Sequence, residues 1–221
     1  MSLGEMLQPL QQPLFTLLGT PVSRVEVLGF GSGALCVWLV ARQHIANWPI
    51  GIANNLFFIL LFSGAGLYAD AGLQIVFIAL AAYGWWTWAH GGGPGTGGTL
   101  PVRRTTRTEW LWLLAAGAVG TAAVTVLLDR ATDSTVPFWD ALTTALSLMA
   151  TYGQCRKRLE SWWLWIAADV VYIPLYAHKD LYPTSLLYAG FLTLCVVGLR
   201  AWRRDLAAGA AGARPAVEAA V

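Results

Sequence analysis

NWPIGIANNLFFILLFSGAGLYADAGLQIVFIALAAYGWWTW (Asn47–Trp88) and SWWLWIAADVVYIPLYAHKDLYPTSLLYAGFLTLCVVGLRAW (Ser161–Trp202) align without a gap at a constant offset of 114 residues. The register pairs Trp48 with Trp162, Leu67 with Leu181, Tyr68 with Tyr182, Gly84 with Gly198 and Trp88 with Trp202. It also sets Asn55 opposite Asp169 and Gln74 opposite Tyr188. Upstream, the same offset pairs Glu26 with Asp140, Leu28 with Leu142 and Arg42 with Arg156, so the repeated unit holds three apolar segments.

A helix that crosses about 30 Å of hydrocarbon needs roughly 20 mainly apolar residues, fewer where Trp or Arg flanks reach the interface. Seven windows qualify: Val25–Ala41, Trp48–Phe62, Ala71–Trp88, Trp110–Leu128, Phe138–Thr151, Trp162–Ala177 and Leu181–Trp202. The fifth is the weakest, being short and holding Asp140, Thr143, Thr144, Ser147 and Thr151. Two three-helix units share an orientation only if an odd number of spans separates them, and Trp110–Leu128 supplies one. The expected fold is therefore an all-α membrane protein of seven transmembrane helices, in a 3+1+3 arrangement of two parallel repeats. In transporters of that plan the substrate sits near the bilayer midplane between the repeats.

The expected organisation is a lead-in at 1–24, a first repeat at 25–89, a cytoplasmic linker at 90–108, a linker helix at 109–128, a second repeat at 138–204 and a flexible cytoplasmic tail at 205–221. The lead-in has no basic start, and Pro9, Pro13 and Pro21 make it an interfacial or irregular segment rather than a signal peptide. Gly91–Gly98 has no Lys and no strand context, which makes it a flexible connector and not a phosphate loop.

Composition agrees with a membrane protein. Hydrophobic residues make up 57% of the 221 and charged residues 12%, where soluble domains hold about 25% charged, and mean hydropathy is +0.56. A net charge of +2 spread over dispersed arginines leaves no nucleic-acid footprint. Cys36, Cys155 and Cys195 have no metal or disulfide spacing and read as packing residues; His44, His90 and His178 lie in loops or at span ends. No metal, cofactor, nucleotide motif or nucleophile–base pair is expected, so the chain is not an enzyme. Trp85, Trp86, Trp88, Trp110, Trp112 and Trp202 stand at span ends and are expected in the interfacial belt, while Gly29 and Gly33 suit helix packing.

Basic residues accumulate on the cytoplasmic side. Arg42, Arg103, Arg104, Arg107, Arg156, Lys157, Arg158, Arg200, Arg203, Arg204 and Arg214 fall on one side of the seven spans, and Arg24, Arg130 and Lys179 on the other. The N-terminus is then outside and the C-terminus cytoplasmic.

In the sixth span Trp162, Trp165, Asp169, Tyr172 and Tyr176 follow steps of three or four and share one helix face. Asp169 lies about 10 Å beyond Trp162, toward the middle of the hydrocarbon, where a carboxylate is expensive and faces a cavity or a partner. Structural glue held by nearby hydroxyls is the other reading. Pro174 frees a backbone carbonyl beside it. The second span offers Trp48, Asn54 and Asn55, and the third Gln74; these amides serve either a polar ligand or interhelical hydrogen bonds.

The segments Asn47–Phe58, Gly66–Ile75, Tyr83–Trp86 and Trp162–Val170 resemble the PnuC-type nicotinamide riboside transporters, and the likeness runs from about Val25 to Arg204. That resemblance implies a bacterial inner-membrane facilitator with a fold related to the SWEET sugar transporters, assembled as a homo-oligomer, a trimer included. It implies a vitamin site at Trp162 and Trp165, completed by Asn54, Asn55 and Gln74, and downhill transport trapped by a cytoplasmic riboside kinase. Trp48, Tyr172 and Tyr188 extend the candidate substrate-binding set. Sister groups carry riboflavin or thiamine. A pyridinium cation suits Trp faces and the Asp169 charge, whereas riboflavin uses the Trp faces alone. A sensor or an open ion pore fits less well, since no signalling domain is appended and large aromatics line the polar face.

Overall fold

The computed structural model describes residues 12–17, 19–64, 68–93, 99–131, 136–178, 180 and 182–212. Among them are seven helices: α1 (Arg24–Ala41), α2 (Asn47–Gly64), α3 (Tyr68–His90), α4 (Arg107–Ala131), α5 (Pro137–Cys155), α6 (Ser161–His178) and α7 (Tyr182–Gly212). Six of the expected windows lie inside one helix each, and the seventh begins one residue ahead of α7. Part of the lead-in is not irregular. Strands β1 (Pro13–Leu17) and β2 (Thr20–Ser23) pair antiparallel around Gly19, whose φ of 81° is open to glycine. The expected tail is helical as far as Gly212; Arg214 and the rest of that tail, residues 94–98 of the glycine connector, Lys179 and the Leu67–Leu181 pair lie outside the described residues.

Among the described residues, three helices, α3, α4 and α7, are long and apolar enough to cross a membrane. The others are shorter or diluted by the polar groups that interest us. The packing order is a closed ring of six: α1 on α2, α2 on α3, α3 on α5, α5 on α6, α6 on α7, and α7 back on α1. Helix α4 packs chiefly on α5, outside that ring, and exposes Leu111, Trp112 and Val119. Apolar faces of this extent are covered by lipid or protein.

Contacts recur at the 114-residue interval. Trp48 lies on Gly84 and Trp162 on Gly198, with ring atoms Cζ2 and Cζ3 in both cases 2.5 and 2.6 Å from where a Cβ would stand. Trp48 meets Trp88 edge-to-face at 5.2 Å and 89°, and Trp162 meets Trp202 at 5.5 Å and 88°. Trp88 Nε1 donates to Gln154 O (3.0 Å), Trp202 Nε1 to Val40 O (3.1 Å). Trp88 and Trp202 are thus core residues, 6% and 0% exposed, rather than members of the interfacial belt. A large aromatic is stabilised far more by a packed core than by an interface. Trp85, Trp86 and Trp112 remain exposed, as a belt requires. Gly29 and Gly33 do serve packing, receiving the Phe58 and Phe191 rings.

The arginine-bearing loops converge on one end. Arg103 pairs with Arg158 through a parallel bridge, with Arg103 N donating to Lys157 O at 3.0 Å and Leu159 N to Arg103 O at 2.9 Å. Thr105 donates through N and Oγ1 to Glu160 Oε2 (2.7 and 2.8 Å), and Arg158 is ion-paired with Glu109. Leu100 of the connector is buried in the core. Thr106 and Glu109 form a reciprocal capping box that starts α4.

Helices α1 and α5 end alike. His44 N donates to Leu39 O and Gln43 N to Val40 O; Arg158 N donates to Gly153 O and Lys157 N to Gln154 O. Both are Schellman ends, whose left-handed position usually holds glycine. Here Gln43 (φ 54°) and Lys157 (φ 48°) occupy it, at a cost of about 1 kcal/mol or more each.

Candidate functional site

Helix α6 is apolar enough to lie among other helices yet carries a line of polar and aromatic groups on one face, and that face positions the candidate site. Asp169 is 2% exposed, and its hydrogen-bond partner is the Cys195 thiol of α7, Sγ to Oδ2 at 3.5 Å. A thiol is a weak donor, so the carboxylate is poorly compensated for its burial. One turn on, Tyr172 stacks with Tyr176 (5.6 Å) and meets Tyr188 of α7 at 4.5 Å; Tyr176 and Tyr188 stack at 5.2 Å. The Thr143 and Ser147 hydroxyls of α5 interact with Tyr172, and Asp169 lies within electrostatic range of Tyr172 and Tyr188. Three helices of the second half therefore build one polar, aromatic patch around Asp169.

The remaining expected site residues are placed differently. Trp162 and Trp48 are packed into the core, 0% and 4% exposed, because the absent side chains of Gly198 and Gly84 leave room for their rings. Their indole N–H groups are buried without a partner among the described residues, an unusual state for a donor that normally finds an acceptor. Trp165, one turn from each of Trp162 and Asp169, is half-buried against the same core. Asn54 is committed to helix packing: its Nδ2 donates to Ser32 Oγ at 2.5 Å and to Gly29 O at 3.4 Å on α1. Asn55 and Gln74 are half-buried and hydrogen-bond to nothing among the described residues. They stand on α2 and α3, neither of which is among the main packing partners of α6.

By its spacing Cys195 reads as a packing residue only. Its distance from Asp169 in sequence hides the pairing, which the α6–α7 hairpin creates. A separate cavity of about 300 Å³ between α3, α4 and α5, lined by Val76, Gly117, Gly120 and Met149, is apolar and shares none of the site residues.

Residues 23–204 match the family described as Nicotinamide mononucleotide transporter. The chain belongs to this family. It is 30% identical over 216 residues to the riboflavin/roseoflavin transporter RibM of Streptomyces davaonensis, covering 96% of this chain and 98% of that one. It is 26% identical over 208 residues to the nicotinamide riboside transporter PnuC of Escherichia coli, covering 83% and 87%. The crystal structure of the vitamin B3 transporter PnuC superposes with a TM-score of 0.65 at 24% identity, covering 83% of this chain and 82% of that one. The fold is that of the transporter family, and the family members are membrane carriers rather than enzymes.

Proposed function

We propose that this chain carries nicotinamide riboside down its gradient across the bacterial cytoplasmic membrane, and that the vitamin binds against the Trp165–Asp169–Tyr172 face of α6. The observation that carries the reading is Asp169: a carboxylate 2% exposed, amid apolar helices, with a thiol as its one hydrogen-bond donor among the described residues. A cationic pyridinium supplies the missing charge, indole and phenol faces attract it, and Asn55 and Gln74 offer amides to the ribose hydroxyls. Trp162 adds, on the same helix face, an indole N–H that has no partner among the described residues.

All seven helices span the bilayer in this reading, arranged 3+1+3 with α1–α3 and α5–α7 as parallel repeats and α4 as the linker. The recurring Trp–Gly and Trp–carbonyl contacts support it. The converging arginine loops form the cytoplasmic end, so the N-terminus is external. A homo-oligomer, and trapping by a cytoplasmic riboside kinase, complete the proposal.

Riboflavin is the second reading, favoured by the 30% identity to RibM along almost the whole chain. Binding titrations of purified protein separate the two. Asp169→Asn keeps size and hydrogen bonding while removing charge, and at an effective dielectric near 20 a counter-ion a few ångströms from the ring is worth more than about 1.4 kcal/mol, or tenfold in affinity. Affinity for nicotinamide riboside should fall at least about tenfold, and that for its neutral 1,4-dihydro form should change little. Equal losses for both ligands reject the counter-ion role; tighter binding of riboflavin than of the riboside by the wild type favours the second reading.

A further inference from the structure

The side chains of Gln43 and Lys157 explain why glycine is missing from two helix ends that would otherwise favour it. Lys157 Nζ donates to Gln43 Oε1 at 2.9 Å, and Gln43 Nε2 donates to Asp205 Oδ2 of α7 at 2.5 Å. Gln43 and Lys157 are themselves 114 residues apart, so equivalent positions of the two halves touch one another. Two equivalent points meet only where the axis relating the halves passes. Lys157 is 5% exposed and lies over the Trp88 ring at 4.5 Å from its centroid. Directly beneath, Trp88 and Trp202 approach to 6.3 Å, and each bonds a carbonyl of the opposite half, at Gln154 and Val40. Those two carbonyls are the same ones that close the Schellman ends. At the arginine-bearing end the axis is thus filled by one connected set of groups, and every bond in it, the one from Gln43 to Asp205 of α7 included, joins one half to the other or shapes a helix end.

We infer that Gln43 and Lys157 form the latch of a gate that closes this end of the transport pathway between the two halves. Opening the gate separates the halves here, breaking the Lys157–Gln43 and Gln43–Asp205 bonds together with the Trp88–Gln154 and Trp202–Val40 bonds. Asp205 holds the Gln43 amide so that its oxygen faces Lys157. The inference rests on the reading of α1–α3 and α5–α7 as halves that move against each other, and it does not depend on which vitamin is carried.

Glycine is the preferred residue at both positions, so Gln43→Gly and Lys157→Gly keep the helix ends while removing the Lys157–Gln43 bond, the first together with the bond to Asp205 and the second together with the ammonium over Trp88. The reporter is native Cys155, which is fully buried and whose Sγ donates to Leu80 O at 3.2 Å across the boundary between the halves. Full-length protein in liposomes is treated with a water-soluble maleimide from the arginine-bearing side, and modification of Cys155 is followed by mass spectrometry. Each glycine variant should raise the labelling rate at least about fivefold while the folded fraction stays unchanged. An unchanged rate in folded variants overturns the latch. As a second arm, Gln43→Cys with Lys157→Cys, joined by a short bifunctional thiol reagent that bears a cleavable disulfide, should stop substrate counterflow and recover it on reduction. Counterflow at the unlinked rate in the joined protein overturns the gate. Failure of the wild type to carry nicotinamide riboside removes the substrate assignment alone and leaves the labelling result standing.

Discussion

Gly198→Ala places a methyl group where the Trp162 ring already lies, with Cζ2 and Cζ3 at 2.5 and 2.6 Å and Cη2 closer still. Three ring atoms inside 3 Å cannot be accommodated by a rotamer change, because Trp162 is fully buried and Trp202 stands against it edge-to-face. Overpacking of this kind costs about 1–3 kcal/mol, and a clash with a rigid ring belongs at the upper end. Replacing glycine by alanine inside a helix returns about 1 kcal/mol. The net expectation is a loss of about 1–2 kcal/mol, which for a chain of this size lowers Tm by roughly 2–8 °C. Gly84→Ala should cost the same, since Trp48 meets it at the same distances, while Gly190→Ala, with nothing within 4 Å, should be neutral or raise Tm. Thermal unfolding of the purified variants in detergent checks all three. A Tm unchanged or raised in both Gly84→Ala and Gly198→Ala refutes the packing of the two tryptophans.

Trp165→Ala should weaken binding of nicotinamide riboside and of its neutral dihydro form alike, by about three- to tenfold, because it removes stacking area as well as cation–π attraction; unchanged affinity in titrations moves the site off α6. Burial pushes the Lys157 ammonium down to about 8, against the pull of Asp205. The unfolded chain therefore holds the extra proton between about pH 8 and the ordinary lysine range, and the Lys157 contribution to stability rises with pH across that window. Measured from about pH 7.5 to about 9.5, the Tm of the wild type should gain on that of Lys157→Met; a flat difference contradicts the buried ammonium. A cysteine at Ser63 should react with an impermeant reagent in intact cells, and reaction only after lysis reverses the proposed orientation. Counterflow in liposomes should persist without any ion gradient, whereas accumulation abolished by a protonophore makes Asp169 a proton carrier.

Helix number and approximate limits were legible in the chain because the length of an apolar run is a local quantity, and the offset of 114 was legible because the aligned residues keep one constant spacing. The stripe on α6 was legible for the same reason: Trp165, Asp169 and Tyr172 are one and two turns apart whatever surrounds them. What those residues touch was not. Asn54 and Asn55 are neighbours of identical chemistry, yet one is bound to Ser32 and the other has no hydrogen-bond partner among the described residues, a difference set by which way α1 lies against α2. Trp85, Trp86, Trp88 and Trp202 look alike as span-end tryptophans, but the two that face the ring interior entered the core and the other two stayed exposed. The pairing of Arg42 with Arg156 pointed to the next position, Gln43 with Lys157, without revealing it as a contact. Their left-handed backbone is not encoded by glycine, and only the closing of six helices into a ring brings residues that far apart in sequence onto one axis. Local chemistry and periodicity set the elements, while burial, partnership and the Gln43–Lys157 contact depend on distances across the bundle that tertiary packing alone decides.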